Sequence, residues 1–97
     1  MPVQLRIYTI NRGALDEFAR EWEAAIKPLR IKIGFQVLGA WKLRESNQFA
    51  WIIGYDGPKK WEELDLEYHR SPERHAMDPD PARNIARMEH FFMDPLS

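Results

Sequence analysis

The chain has 97 residues, of which 44% are hydrophobic, and it carries a formal net charge of -1 and no cysteine. This size predicts a single domain over residues 1–97. The near-neutral charge gives no basic surface for nucleic acid, and the lack of cysteine excludes disulfides and thiolate chemistry. No apolar run approaches the roughly 20 residues of a membrane helix, and no charged leader precedes an apolar segment. We therefore expect a cytoplasmic protein with neither a membrane nor a nucleic acid as partner.

The first third of the chain predicts a strand followed by an amphipathic helix. Side chains alternate in character from Val3 to Ile10, as in a strand, and a turn follows at Asn11–Gly13. Apolar residues then recur at helical spacing, namely Leu15, Phe18, Trp22, Ala25, Ile26 and Leu29. Because Pro28 has no amide hydrogen, we expect it to kink or end this helix between Ala25 and Lys27.

The stretch from Phe35 to Asp56 predicts a β-hairpin that is apolar on both faces. Two alternating arms flank the polar loop Glu45–Gln48. Trp51 and Ile52 are neighbours in the second arm and must point to opposite faces. Helices can cover one face only, and the other exceeds the few hundred Å², roughly, that a soluble monomer leaves exposed. We therefore predict a homodimer, in which a second copy covers that face.

A second helix is predicted from Pro58 to about His69, because proline suits the first turn of a helix. Its apolar face is thin and contains Trp61, Leu64 and Tyr68. Ser71 then has the character of a helix cap, which predicts one further short helical turn over Pro72–Met77.

The segment from Ala82 to Phe92 is ambiguous in its local pattern. As a helix, it would be capped by Asp80 and would begin at Pro81. As a strand, it would place Ala86, Met88, His90 and Phe92 on one face. Topology favours the strand, because the order strand, helix, strand, strand, helix lacks only a final strand. That strand would complete a β-α-β-β-α-β unit with two helices on one face of a four-stranded antiparallel sheet.

Three aromatic residues are candidates for a ligand pocket. Trp41, Trp51 and Tyr55 all lie in the hairpin region, where they could line an apolar pocket between sheet and helices that holds a flat organic ligand. The competing interpretation is that they belong to the core or an interface, as regularly spaced aromatic residues usually do.

The histidines offer a second candidate site. His69 and His75 flank the sequence SPER and are accompanied by Tyr68 and Arg74. A histidine base with a tyrosine and an arginine to hold an anion suits proton transfer on an activated carbonyl or phenol. The competing interpretation places these histidines at the surface and His90 at an interface. Their spacing matches no standard metal motif, and the scattered glycines form no phosphate cradle, so we predict neither a metal nor a cofactor.

Several stretches, in their order and spacing, resemble the NIPSNAP family of the dimeric α+β barrel superfamily, which has a ferredoxin-like fold. The resemblance is carried by LRIYTINRGALDEF, by Trp22, Pro28, Leu29 and Arg30, and by GFQVLGAW, FAWIIGYD and SPER. It implies that Ala82–Phe92 is mainly strand and that two protomers pack sheet to sheet.

The resemblance leaves the activity open. We predict a homodimer with a small apolar cavity for a small hydrophobic or aromatic ligand. The alternative is a cofactor-independent monooxygenase or isomerase that uses the histidine, tyrosine and arginine cluster. A non-enzymatic dimeric module is a further class, because the family has no well-established chemistry.

Overall fold

The computed structural model describes residues 1–96 and shows helices on one face of a four-stranded antiparallel sheet. The strands are β1 (Val3–Ile10), β2 (Gln36–Leu43), β3 (Gln48–Gly54) and β4 (Ile85–Met93). The helices are α1 (Leu15–Glu21), α2 (Lys27–Ile33), α3 (Trp61–Arg70) and α4 (Pro72–His75), with a π-helical turn at Trp22–Ile26 and a 3-10 turn at Pro81–Asn84. The strand order β2-β3-β1-β4 confirms the predicted α+β fold with β-α-β-β-α-β connectivity.

The core lies between the sheet and the helical region that begins at Leu15. Trp22 is 2% exposed and packs against Phe49 and Trp51, at ring-centroid distances of 5.0 and 5.4 Å. Phe18 packs edge-on against Phe49 at 5.2 Å. The predicted apolar stripe of the first helix therefore covers the hairpin on one face, as its spacing indicated.

Of the two outcomes predicted for Pro28, an end of the helix does not occur, and the helix is instead irregular just before this residue. The amide hydrogen of Lys27 donates to the carbonyl of Trp22, five residues earlier, which makes Trp22–Ile26 a π-helical turn. Pro28 follows in the first turn of α2, where a missing amide hydrogen costs little. The helix therefore continues to Ile33 and ends at Gly34, whose φ of 131° favours glycine.

The second predicted helix begins later than expected, at Trp61 rather than Pro58. The amide of Lys59 donates a hydrogen bond of 3.1 Å to the hydroxyl of Tyr55, which holds the residues before α3 in a loop. After α3, the hydroxyl oxygen of Ser71 accepts from the amide of Arg74, as predicted for a cap, and the short α4 follows.

The last segment contains both of the structures that its pattern allowed. The carboxylate of Asp80 accepts a 3.0 Å hydrogen bond from the amide of Ala82 and caps the 3-10 turn. The chain then extends into β4, which pairs antiparallel with β1. The strand prediction is confirmed, and the helix signal describes only the single turn that precedes it.

The face of the sheet turned away from the helices, here called the open face, is largely apolar. The register pairs Ala40 with Trp51 and Trp41 with Ala50, so the two tryptophans point to opposite faces. Trp51 is fully buried under the helices, whereas Trp41 is 52% exposed on the open face. The open-face apolar residues are Val3, Leu5, Ile7, Trp41, Leu43, Ala50, Ile52, Phe91 and Met93.

Candidate ligand site

Strand β1 turns a row of polar side chains toward the helices. Gln4, Arg6 and Tyr8 are each only 4 to 5% exposed. The Nε of Arg6 donates to Oε1 of Gln4 at 2.8 Å, and its Nη1 donates to the hydroxyl of Tyr8 at 3.2 Å. Because β1 lies between β3 and β4 and the helices cover it, the guanidinium of Arg6 is held in the protein interior.

A second arginine reaches the same interior from α2. Arg30 is 2% exposed, its Nη1 donates to Oδ1 of Asp65 at 2.7 Å, and its Cζ lies 3.7 Å from the centroid of the Tyr68 ring. The preceding π-helical turn holds one residue more than an α-turn and so rotates α2 about the helix axis. This rotation places both Leu29 and Arg30 against the sheet, where both are buried.

Asp65 of α3 is the carboxylate that lies between the two arginines. Its Oδ1 is 2.7 Å from Nη1 of Arg30 and 3.7 Å from Nη2 of Arg6. Burial raises the pKa of Asp65, but the hydrogen bond and charge of Arg30 and the charge of Arg6 outweigh burial and hold this pKa below its usual value. Since arginine stays protonated in proteins, two positive charges face one negative charge.

A partly open cavity of about 90 Å³ adjoins this charged group. Arg6, Tyr8, Arg30, Asp65 and Tyr68 form its polar wall, and Ile26, Ile85 and Met88 contribute apolar surface. His69, Arg74 and His90 also line it and are less buried. Burial raises the pKa of the Tyr68 phenol, which the charge of Arg30 only partly opposes, so this phenol is neutral at pH values near 7.

The surroundings of His69 and His90, the two histidines at the rim of the cavity, lower the pKa values of both imidazoles. Burial lowers the pKa of His69, and the charges of Arg30 and Arg6 add to this effect although Asp65 opposes it. Burial and the charge of Arg6 likewise lower the pKa of His90. Both imidazoles are therefore neutral at physiological pH and can accept a proton.

These lowered pKa values predict that the protein loses stability as the pH falls from about 7.5 to about 5.5. Below about pH 6.5 the unfolded chain binds protons that the folded histidines bind less readily, so acid favours unfolding. Thermal unfolding across this range should show a shallower pH dependence in a His69→Gln/His90→Gln variant. His75→Gln is the matched control, because His75 does not line the cavity. Equal pH dependence in all three proteins would contradict the prediction.

The structure brings together three of the four predicted polar candidates. Tyr68, His69 and Arg74 line the cavity, and Arg74 is held by Asp80 at 2.9 Å. His75 instead lies in an outer depression that it shares with His69, Arg74, Met77 and Asp80. His69 and His75 therefore do not face a common buried space.

The predicted pocket of Trp41, Trp51 and Tyr55 does not form. Trp41 lies on the open face, over Gly39, where an added Cβ would be 2.5 Å from the Trp41 ring. Trp51 lies beneath the two buried guanidinium groups, with Cζ of Arg6 at 5.6 Å and Cζ of Arg30 at 5.8 Å from its ring. The prediction was wrong because alternation in paired strands puts Trp41 and Trp51 on opposite faces.

The sequence prediction missed Arg6, Arg30 and Asp65. A usable signal existed for Arg6, because it alternates with apolar residues on a strand that the connectivity makes central. Arg30 gave a weaker signal, since its burial depends on a π-helical turn that helical periodicity does not describe. Asp65 was indistinguishable from the solvated acidic residues around it on α3.

Two other types of site are not found in the part of the chain that the structure describes. Within residues 1–96, no group of three or more metal-ligating side chains is arranged to hold an ion. Over the same residues, no helix has both the length and the apolar character needed to cross a membrane.

The β-α-β-β-α-β fold of this chain recurs in solved structures of other proteins. A structure of a putative antibiotic biosynthesis monooxygenase from Nitrosomonas europaea is similar in fold, with a TM-score of 0.70, 10% identity and full coverage of both chains. The NIPSNAP family model matches residues 3–97. The chain therefore belongs to the NIPSNAP family, in agreement with the resemblance seen in its sequence.

Solved NIPSNAP structures superpose well on this chain. An uncharacterized NIPSNAP domain protein from Burkholderia xenovorans has a TM-score of 0.85 at 19% identity, covering 100% of this chain and 96% of its own. A NIPSNAP family protein from Agrobacterium tumefaciens has a TM-score of 0.83 at 19% identity, covering 97% and 91%. Among curated proteins, none matches this chain significantly. At these identities the structural matches establish the fold alone.

Proposed function

We propose that this NIPSNAP domain is a homodimer that binds a small organic anion in the cavity between the sheet and the helices. The observation that carries the proposal is the pair of buried arginines that share one carboxylate. An uncompensated charge in the interior is costly, and a monoanion in the adjoining cavity would neutralise it. The ligand predicted from sequence was a small hydrophobic or aromatic molecule, and these charges favour a ligand that also carries an anionic group.

Hydrogen-bond donors remain for such an anion. The contact of Arg6 Nη2 with Asp65 is 3.7 Å long, beyond hydrogen-bond range, and the buried Nε of Arg30 has no acceptor. Guanidinium groups bind carboxylates through paired, charge-assisted hydrogen bonds. The phenol of Tyr8, which accepts from Arg6, adds a hydroxyl that can donate to the ligand.

Support for the homodimer comes from the open face. Trp41 and Phe91 are 52% and 46% exposed there, on a surface that also includes Leu5, Ile7 and Ile52. A large contiguous apolar patch on a soluble protein usually marks an interface. Because this face is opposite the helices, dimerisation through it would leave the cavity mouth free.

A second candidate function is proton transfer by an enzyme without a cofactor. His69 and His90 border a cavity that contains two buried arginines, and their lowered pKa values keep them neutral. A neutral imidazole can remove a proton next to a carbonyl group, while a guanidinium stabilises the resulting enolate. This chemistry fits the isomerase class more closely than oxygen chemistry.

Matched acids and amides test the binding function. Calorimetry should show propanoate and benzoate binding at least about tenfold more tightly than propanamide and benzamide, because a charge-assisted hydrogen bond contributes more than 1 kcal/mol over a neutral one. Arg6→Gln should remove the preference, while circular dichroism reports whether this variant is folded. In Arg44→Gln, which alters an exposed arginine, the preference should persist. Equal binding of acids and amides by the wild type would contradict the proposal.

Proton exchange tests the enzymatic candidate separately. In deuterated buffer, NMR should show exchange of the carbon-bound protons next to the carbonyl of a 2-oxo acid faster than in buffer alone. We expect His69→Ala or His90→Ala to reduce this rate at least about tenfold, as for loss of a general base. His75→Ala serves as the control outside the cavity. Exchange at the buffer rate in the wild type would exclude this candidate.

A further inference from the structure

We infer that the ligand is an amphiphilic monocarboxylate, whose carboxylate enters the cavity while an apolar tail lies in the adjoining groove between α3 and β4. This inference rests on the proposed anion site and adds the chemical class of the ligand. The tail groove is defined here by Trp61, Glu62, Leu66, His69, His90 and Phe92, together with the inner residues Gln4, Arg6 and Asp65.

The cavity and the tail groove adjoin each other and share four lining residues. Arg6, Asp65, His69 and His90 line both of them. Of these four residues Arg6 is buried, whereas His69 and His90 are exposed, so Arg6 lies at the inner end of the shared boundary. In the proposed binding mode, the carboxylate of the ligand contacts Arg6, and the rest of the ligand extends past the histidines into the groove.

The outer part of the tail groove is apolar and exposed. Phe92 and Leu66 are 59% and 45% exposed, on opposite walls. Trp61 packs edge-to-face against Phe92 with ring centroids 5.0 Å apart, which joins α3 to the edge strand. Phe92 pairs with Gln4 and so lies on the helix side, away from the proposed dimer face. These side chains would gain apolar contacts from an alkyl or aryl tail.

The cavity and the tail groove differ in volume, so they suit different parts of the ligand. The inner cavity of about 90 Å³ has room for a carboxylate and little more, whereas the tail groove is a more open space of about 340 Å³. A ligand held by the arginines must extend into the groove if it has more than a few heavy atoms.

Charge along the groove determines which end of the ligand enters. The positive excess lies at the inner end, with Arg6 and Arg30, whereas Glu62 lines the groove. A second carboxylate at the outer end of a ligand would therefore be repelled by Glu62. The site should prefer a monocarboxylate with an apolar tail over a dicarboxylate of equal length.

A chain-length series tests the inference on the full-length protein. Calorimetry with acetate, butanoate, hexanoate and octanoate should show affinity rising about two- to fourfold per methylene, the range for partial to complete burial of a methylene group. Octanedioate should bind at least about tenfold more weakly than octanoate, since its second charge would lie near Glu62. Hexylamine, which presents a cation to the arginines, should not bind.

Variants of the groove walls locate the tail. Phe92→Ala and Leu66→Ala should each weaken hexanoate about three- to tenfold and leave acetate unchanged. Leu38→Ala is the matched control, because Leu38 is similarly exposed at 49% and lies on β2, at the other edge of the sheet.

The outcomes separate this inference from the proposed function. If acetate and hexanoate bind equally, or if the wall variants bind hexanoate like the wild type, the tail assignment is overturned and the anion site stands. If no carboxylate binds saturably, both are overturned. If hexylamine binds as tightly as hexanoate, the anionic head is wrong, and so is the proposed function on which it rests.

Discussion

Replacing Asp65 by asparagine is expected to destabilise the protein by about 3 kcal/mol, because it leaves two buried guanidinium charges without their carboxylate. Asp65 is the shared partner of Arg6 and Arg30. Urea unfolding, monitored by tryptophan fluorescence, measures the loss directly. The same change should tighten the binding of propanoate, since the cavity then has a greater positive excess.

Asp16→Asn is the matched control for this experiment. Asp16 is an exposed carboxylate that also pairs with two cations, Lys42 and Arg44, and its removal should leave stability nearly unchanged. Tighter binding of propanoate by Asp65→Asn is expected if the arginines form an anion site, and it is not expected if Asp65 and the arginines are only a structural ion pair. An Asp65→Asn protein as stable as Asp16→Asn, or one with weakened propanoate binding, would contradict the proposed anion site.

Placing a charge at the centre of the open face should dissociate the homodimer. Leu5 lies on β1 between Ile52 of β3 and Phe91 of β4, so an interface through this face would bury it. Leu5→Glu would bury an unpaired carboxylate at that interface, which costs several kcal/mol and weakens dimerisation roughly a hundredfold or more. Sedimentation equilibrium of wild type and variant measures the change.

The matched control for the dimer is Leu66→Glu, which places the same charge on α3, away from the open face. It should sediment as the wild type does. Circular dichroism should show that the Leu5→Glu monomer keeps its secondary structure, since Leu5 is not part of the core beneath the helices. If the wild-type protein is monomeric at all concentrations, the proposal of a homodimer is contradicted.

The fold was predictable because its signals are local and periodic. Alternation gave the hairpin and β1, three- and four-residue spacing gave the first helix, and the need for a fourth strand decided the ambiguous C-terminal segment. The errors arose where an irregular hydrogen bond, which periodicity does not describe, decided the outcome. Tyr55 holds Lys59 out of α3, and the π-helical turn carries the first helix through Pro28.

The site was only partly predictable, for a physical reason. Tyr68, His69 and Arg74 were recognised from their chemistry, because they lie close together in sequence. The charged centre is built from Arg6 and Asp65 of β1 and α3, which are distant in sequence and meet only in the folded chain. These charged side chains are unusual only because they are buried, and the sequence alone does not show their burial, since it depends on the tertiary structure.

The most direct test of the anion site observes the arginine side chains themselves. Propanoate is titrated into ¹⁵N-labelled protein while the Nε–H resonances are followed by NMR. We predict large, saturable shifts for Arg6 and Arg30, and small shifts without saturation for the exposed Arg12 and Arg70. Equal, non-saturating shifts at all four arginines would show that propanoate does not enter the cavity, and would contradict the central claim.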